Sequence, residues 1–347
     1  MTALAAVPAP DEGLVVKSPL LELFDVTKIY AEKPDFVGRM VRSLSGKPVV
    51  QAVHAVDGVS LRIEPGELVG LVGESGCGKS TLGRVVAGIH KPTSGDIVYR
   101  GANLENLEPA KRRAVRRKAQ MVFQDPFASL NPRMTVLDLV GQAPRVHGLV
   151  NAADAPDYVA SMLRLVGLDP AYIHRYPHQF SGGQRQRLGI ARALAVNPEF
   201  LVCDEPVAAL DVSIQAQVIN LFMDLRERLN LTYLFISHDM GVIEHLSDRI
   251  VIMYLGRVLE SAPTETLFAR ANHPYTRGLL EGVPRLDRRR VSFMPIKGEL
   301  PSPLDPPTGC HFHPRCPHAT ERCRVERPVL RQIAPDHVSA CHLNDGS

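Results

Sequence analysis

Short apolar runs bounded by turn residues recur along the chain and alternate with stretches of helical periodicity. Apolar runs of this kind are typical of strands buried in a parallel sheet, with helices covering both faces. The pattern therefore predicts an α/β fold with a largely parallel sheet. The predicted strands are 21–28, 52–63, 67–72, 96–99, 119–123, 200–203, 232–236 and 249–253, and a helix is predicted at 79–89.

Four stretches depart from this alternation. Residues 1–19 carry no element pattern, and 31–48 form a long, basic connection with Gly and Pro, which predicts an inserted loop. Residues from about 125 to 180 lack convincing strand patterns and predict a helical insertion. From about residue 286 the sequence becomes rich in Pro, Cys and His. We therefore expect a flexible lead at 1–19, a main domain at 20–285 and a Cys-rich region at 286–347.

The composition is that of an ordinary globular protein. Hydrophobic residues make up 45% and charged residues 22% of the 347, which argues against a disordered or fibrous chain. Aromatic residues are only 5%, and the net charge of +3 is too small to indicate a nucleic-acid partner. Six cysteines are too few for a disulfide-dense secreted fold. No apolar run approaches the roughly 18 residues that a membrane span requires.

The most specific chemical pattern is a glycine-rich loop between a predicted strand and a predicted helix. Residues 73–81 match the P-loop pattern G-x-x-x-x-G-K-[ST]. Such a loop turns backbone N–H groups and a helix N-terminus toward phosphate, while Lys79 would reach the β- and γ-phosphates and Ser80 would ligate Mg²⁺. The predicted nucleotide-binding residues are Gly73, Glu74, Ser75, Gly76, Cys77, Gly78, Lys79, Ser80 and Thr81.

Two further features have both a functional and an ordinary interpretation. A helix N-terminus favours a thiolate, so Cys77 is a candidate redox switch, although an inert small residue is the simpler interpretation. The basic residues 111–113 and 116–118 suit contacts to a phosphate backbone, but a solvated helix face explains them as well. We favour the ordinary interpretation of both.

A buried strand pattern at 200–203 ends in two adjacent carboxylates, Asp204 and Glu205. At the end of a strand beside a phosphate loop, one carboxylate can hold Mg²⁺ and the other can orient or deprotonate the attacking water. We assign the first role to Asp204 and the second to Glu205.

A second anion-binding helix start is predicted at Ser181, Gly182, Gly183 and Gln184. A bound nucleotide needs only one anion-binding helix N-terminus on each of its two faces, and the P-loop helix already supplies one. A head-to-tail dimer would let this segment close over a nucleotide that the P-loop of another subunit holds.

Together these motifs resemble the ATP-binding cassette (ABC) ATPases over about residues 20–285. The resemblance implies ATP and Mg²⁺ as ligands, and a P-loop nucleotide-binding domain with an antiparallel β-subdomain and a helical subdomain. It also implies four further roles. Gln124 matches the residue that senses Mg²⁺ and the γ-phosphate, Asp211 the D-loop that communicates across the dimer, His238 the switch histidine, and Tyr30 the aromatic that stacks on adenine.

Three flanking segments resemble the oligopeptide/dipeptide importer ATPases, namely 124–132, 273–277 and 298–303. This resemblance implies two membrane permeases, an extracytoplasmic substrate-binding protein and a position on the cytoplasmic face of the inner membrane. The 31–48 insertion is similar to that of the F-type subunit, which pairs with a D-type ATPase. Di- or oligopeptides are the expected cargo, while nickel chelates, murein peptides and sugars are carried by relatives.

The C-terminal region contains Cys310, Cys316, Cys323 and Cys341, with five, six and seventeen residues between neighbours. Four thiolates suit an iron–sulfur cluster, and some members of the resembled subfamily carry a [4Fe–4S] cluster there. Zinc, with nearby histidines as additional ligands, and unligated reduced thiols are the two alternatives.

Other classes of cassette protein fit the sequence less well. ATPases that act on DNA ends separate the two nucleotide motifs by long coiled coils, and ribosomal types carry two cassettes, whereas this sequence has neither. Exporters usually fuse the cassette to a membrane domain. A non-enzymatic scaffold would not need every catalytic position filled. We expect no nucleic-acid partner.

Overall fold

The computed structural model describes residues 18–32, 51–282, 296 and 298–345. Two sheets organise these residues, one of four and one of eight strands. The strands are β1 Leu21–Glu32, β2 Gln51–Ile63, β3 Leu68–Val72, β4 Ser94–Tyr99, β5 Ala102–Asn103, β6 Ala119–Val122, β7 Phe200–Asp204, β8 Thr232–Ser237, β9 Arg249–Tyr254, β10 Arg257–Pro263, β11 Arg331–Ala334 and β12 His337–Ser339.

The α-helices of the described residues lie between and beyond these strands. They are α1 Lys79–Val86, α2 Pro109–Lys118, α3 Pro126–Ser129, α4 Val136–Val146, α5 Ala155–Leu165, α6 Gly182–Leu194, α7 Val212–Leu229, α8 Met240–Leu246, α9 Thr264–Arg270, α10 Pro274–Glu281 and α11 Glu321–Val325.

The smaller sheet is antiparallel, with the strand order β2-β1-β4-β5. Leu21, in its central strand, pairs with Ile63 on one side and Tyr99 on the other. These three side chains are buried, because the sheet covers one face of the larger sheet with its own apolar side. This is the expected antiparallel β-subdomain.

The larger sheet has the order β11-β12-β10-β9-β3-β8-β7-β6. The five strands from β9 to β6 are parallel, which the sequence predicted. Every residue of β3, β7 and β8 is buried, because alternate side chains enter apolar clusters on opposite faces of the sheet. Leu201 and Cys203, for example, belong to one cluster, and Phe200 and Val202 to the other.

Residues 125–180 are described throughout and contain helices without a strand, as expected for the helical subdomain. Helices α4 and α5 pack through a shared apolar cluster that includes Val140, Val159 and Leu163. Thr135 caps α4 because its hydroxyl accepts a hydrogen bond from the N–H of Asp138.

The C-terminal region returns to the larger sheet and extends it. β12 pairs antiparallel with β10, where Glu260 lies opposite Ser339. Nε2 of His337 lies 2.7 Å from Oε1 of Glu260, and both side chains are buried. The C-terminal strands are therefore continuous with the sheet of the main domain.

The predicted strands are all present, with small differences at their ends. β1 extends to Glu32, so the first two residues of the predicted 31–48 insertion belong to a strand. Helix α1 ends at Val86 rather than at residue 89, because Gly88 takes a left-handed conformation with φ 70°. Most of the 1–19 lead, the rest of the 31–48 insertion and the start of the region at residue 286 lie outside the described residues.

Candidate nucleotide-binding site

Four neighbouring strands deliver the predicted site residues to one edge of the larger sheet. In spatial order, β3 leads into the glycine-rich loop, β8 to His238, β7 to Asp204 and Glu205, and β6 to Gln124. Because these strands are parallel, their carboxyl ends meet at one edge, where ligands bind in open α/β sheets.

Lys79, the first residue of α1, is folded back onto the loop that precedes it. Its Nζ donates to the backbone oxygens of Gly73 at 2.7 Å and Glu74 at 2.9 Å. The residue is only 4% exposed. This leaves the ammonium group beside the loop's backbone, where a phosphate would meet it.

Two glycines of the loop are required by close backbone contacts. A Cβ on Gly73 would lie 2.1 Å from the carbonyl oxygen of Met253, and one on Gly78 would lie 1.9 Å from that of Ala55. Gly78 also has φ 104°, which residues with a side chain rarely adopt. The loop can therefore follow its path only with glycine at these positions.

Ser80 and Asp204 meet at the start of α1. The Ser80 hydroxyl donates to Oδ1 of Asp204 at 2.7 Å. Burial raises the pKa of the Asp204 carboxyl, although the bond from Ser80 opposes the rise. A hydroxyl and a buried carboxylate are hard oxygen ligands of the kind Mg²⁺ prefers, and a cation there would offset the burial of the charge. These residues fit the expected metal.

Glu205 is the meeting point of two other predicted residues. Nε2 of Gln124 donates to its Oε2 at 3.0 Å, and Nδ1 of His238 lies 3.4 Å from the same oxygen. Glu205 has φ 45°, an uncommon backbone conformation for a residue with a side chain. Its N–H donates to the carbonyl of Ile236 in the adjacent strand at 3.0 Å, which helps to hold that conformation.

A cavity of about 350 Å³ lies over the loop. Tyr30, from β1, and Glu205 both line it, and the Tyr30 side chain is exposed. The sequence did not identify six of the lining residues, because they come from strand and loop backbone without a local motif. These residues are Val53, His54, Ala55, Leu255, Gly256 and Pro303.

The residues predicted to act across a dimer lie apart from this cavity. Ser181 caps α6, where its hydroxyl accepts from the N–H of Gln184 and the Gln184 side chain accepts from the N–H of Ser181. Asp211 precedes α7 and is exposed. Among the described residues that line the cavity, none belongs to the set Ser181, Gly182, Gly183, Gln184 and Asp211.

Cys77 lies inside the glycine-rich loop and is 1% exposed. Burial raises the pKa of its thiol despite the nearby Lys79 ammonium. A redox switch needs an accessible thiol of low pKa. The structure therefore favours the inert interpretation.

The basic residues of α2 have the ordinary role that we favoured. The helix buries none of its residues. Nζ of Lys118 lies 3.1 Å from Oε1 of Glu199, and Nη1 of Arg112 lies 3.6 Å from Oε2 of Glu105. This is a solvated helix face with surface ion pairs.

The four C-terminal cysteines are free thiols that line one small cavity of about 110 Å³. Burial raises the pKa of Cys310 to about 11 and also raises those of Cys316 and Cys341. Within the described part of the chain, no three His, Cys, Asp or Glu side chains form a group that could hold a metal ion. The expected iron–sulfur cluster and its zinc alternative are therefore unsupported by the side-chain arrangement. Four histidines also line the cavity: His273, His313, His318 and His342.

Comparison with known families assigns the chain. Residues 56–208 match the ABC transporter family, and residues 259–323 match the C-terminal region of oligopeptide/dipeptide transporters. The oligopeptide transport ATP-binding protein AppF of Bacillus subtilis is 49% identical over 329 residues, covering 93% of this chain and 97% of AppF. The chain belongs to the ATP-binding proteins of oligopeptide/dipeptide ABC transporters. It is thus an ABC-type ATPase.

Further comparisons agree with this assignment. The dipeptide transport ATP-binding protein DppF of Haemophilus influenzae is 46% identical, covering 93% of this chain and 96% of DppF. The dimeric ATP-binding cassette MJ0796, in a post-hydrolysis state with ADP and Pi, is 29% identical with a TM-score of 0.59. That match covers 70% of this chain and 98% of the MJ0796 chain. None of the helices in the described residues combines the length and apolar character needed to cross a membrane.

Proposed function

We propose that this ATPase powers the uptake of di- and oligopeptides through a membrane permease pair. The observation that carries the proposal is the convergence of Lys79, Ser80, Asp204 and Glu205 at neighbouring strand ends, beside a cavity over the glycine-rich loop. The peptide cargo is supported by the match to the oligopeptide/dipeptide C-terminal region and by the names of the relatives.

The residues of the site divide the work of ATP hydrolysis. Lys79 and the loop backbone would bind the phosphates, and Ser80, Asp204 and Gln124 would hold Mg²⁺, which would neutralise the charge that develops on the phosphates. Glu205 accepts the proton of the attacking water, and His238 and Gln124 fix the direction of its carboxylate. Tyr30 stacks on the adenine.

The site is completed by a second subunit. A head-to-tail dimer brings the Ser181–Gln184 helix start and Asp211 of one subunit to the nucleotide that the other holds. Asp211 is exposed, and neither segment lines the cavity of its own subunit, which supports this arrangement. We propose an F-type role for this chain, a D-type ATPase as partner, and a position beneath two permeases on the cytoplasmic face of the inner membrane. An extracytoplasmic binding protein supplies the peptide.

A [4Fe–4S] cluster at the four C-terminal cysteines is a separate proposal: the four free thiols line one cavity, although their arrangement in the described structure does not form a metal-binding group. Its test is the iron and sulfide content of protein purified anaerobically. About four of each per chain are expected. Iron-free protein with the C-terminal region folded contradicts it.

The function is tested by purifying the tagged chain from native membranes in mild detergent. We expect two polytopic permeases and a second cassette ATPase to co-purify, and peptides with their binding protein to stimulate ATP hydrolysis in liposomes. Stimulation by a nickel chelate, murein peptide or sugar instead would keep the ATPase role and change the cargo. Recovery of ribosomes or nucleic-acid enzymes without permeases would reject transport.

A further inference from the structure

The C-terminal part of the chain reaches directly into the glycine-rich loop. Glu74, the second residue of that loop, accepts two hydrogen bonds from Arg315, from Nη1 at 2.6 Å and from Nη2 at 3.0 Å. The N–H of Glu74 donates to Oη of Tyr275 at 2.9 Å. The two partners lie 241 and 201 residues away in sequence. Glu74 is thus held at its side chain and at its backbone.

Both partners of Glu74 are themselves fixed. The Arg315 side chain is only 6% exposed, lies in the turn between Cys310 and Cys316, and also reaches the Tyr254 hydroxyl at 3.4 Å. Tyr275 is fully buried, in α10. Its ring packs against those of Tyr254, at 4.8 Å between centroids, and Phe312, at 5.3 Å. Glu74 is therefore anchored to a rigid aromatic cluster.

Glu74 is also hydrogen-bonded directly to Lys79, the predicted phosphate-binding lysine. The carbonyl oxygen of Glu74 accepts a hydrogen bond from Lys79 Nζ at 2.9 Å. A two-point hold on Glu74 restricts the backbone of the loop before nucleotide arrives. Restricting a binding loop in its bound conformation improves affinity, because less conformational entropy is lost on binding.

We propose that Arg315 is a positioning residue for the phosphate loop, through which the Cys310–Cys316 segment sets the affinity of this ATPase for nucleotide. The inference rests on the proposed ATP hydrolysis. It assigns to the C-terminal region an action on its own subunit's ATP site. Arg315 acts on the loop through Glu74.

The first test compares charge-removing and charge-conserving variants of Arg315. Because Arg315→Gln breaks a largely buried, bidentate ion pair, we expect KM for ATP to rise about tenfold while kcat stays within about twofold. Arg315→Lys keeps the charge but loses the bidentate guanidinium geometry, so its KM should lie between those of wild type and Arg315→Gln. The matched control is Arg324→Gln, in the same region, where an exposed arginine forms an ion pair with exposed Glu321. Its KM should be unchanged.

The second test approaches the same contact from the loop. Glu74→Gln should raise KM by a similar factor. The KM of the double variant Arg315→Gln/Glu74→Gln should equal that of the worse single variant, because all three variants lack the same Arg315–Glu74 ion pair. Hydrogen exchange of the nucleotide-free protein should be faster in residues 73–78 of both single variants. The Glu74→Gln variant keeps the test decisive if Arg315→Gln fails to fold.

A KM within twofold of wild type in Arg315→Gln and Glu74→Gln overturns the inference, as does an equal rise in Arg324→Gln. A double variant whose KM equals the product of the single effects overturns it too. These results differ from failure of the proposed function, in which the unaltered protein itself would not hydrolyse ATP.

Discussion

The nucleotide cavity and the cysteine cavity are built on different supports. In the first, side chains stand at the ends of parallel strands, and the pairs Ser80–Asp204 and Gln124–Glu205 are already within hydrogen-bonding distance. In the second, four thiols stand on turns and short elements between residues 310 and 341 and share a cavity without forming a metal-binding group. The comparison teaches that strand ends hold the side chains of a site in place before its ligand binds. In a site built on turns, the distances between side chains depend on contacts elsewhere in the structure.

The largest expected effect tests the role of Glu205 in ATP hydrolysis at the nucleotide cavity. Glu205→Gln should lower ATP turnover at least about 100-fold and leave the ATP dissociation constant within about threefold, because the amide fits the site and cannot accept a proton. Phosphate release and equilibrium nucleotide binding measure the two quantities. Glu199→Gln, just before the same strand and paired with Lys118, is the matched control and should keep turnover. Unaltered hydrolysis in Glu205→Gln would remove Glu205 from its role.

The next largest effect tests how closely the backbone of the glycine-rich loop must pack in the nucleotide site. Gly78→Ala places a Cβ 1.9 Å from the carbonyl oxygen of Ala55, at φ 104°, so ATP affinity should fall more than about tenfold. Gly101→Ala is the control, since Gly101 has φ 77° with no atom within 4 Å of the added carbon. It should cost about 1 kcal/mol of folding stability and leave affinity unchanged. Equal affinity losses in the two variants contradict the packing argument.

The smallest effect concerns pH and the cysteine side, whose cavity His273 lines. Burial lowers the pKa of His273 to about 3, whereas in the unfolded chain the imidazole takes up a proton near pH 6.5. The stability that the neutral imidazole contributes is therefore present above pH 6.5 and is lost as the pH falls below it. Between pH 7.5 and 5.0 this residue should account for a loss of about 2 kcal/mol.

Denaturant unfolding of wild type and His273→Asn at several pH values measures this loss. Nδ1 of His273 accepts a hydrogen bond from the N–H of Tyr275 at 3.1 Å, and an asparagine oxygen can take over that capping role. The variant should therefore lose less stability on acidification. Parallel pH curves for the two proteins would contradict the assignment.

Most of the nucleotide site could be predicted because each part leaves a local pattern. Each of three motifs is a contiguous stretch of sequence: the 73–81 loop, the two carboxylates at the end of β7, and the capped helix start at Ser181. Their meeting also follows from parallel topology, which brings strand ends to one edge. The roles of these residues remain predictions that the variants above would test.

The contacts of the C-terminal region could not be predicted in the same way. The Glu74–Arg315 pair joins residues 241 positions apart, and neither residue belongs to a periodic pattern. β12 has only three residues, too short for an alternation to stand out. The cysteine spacing predicted a shared location but not the distances between thiols, which depend on turns whose geometry the residue types leave undetermined.

The C-terminal hairpin of β11 and β12 also bears on aggregation. Without it, β10 would present a row of unpaired N–H and C=O groups, the kind of edge that joins sheets of different molecules. The hairpin moves that edge outward to β11, which has four residues and begins with the exposed Arg331 and Gln332. A chain cut after residue 285 would keep its P-loop and lose this protection, so the C-terminal strands guard the solubility of the cassette.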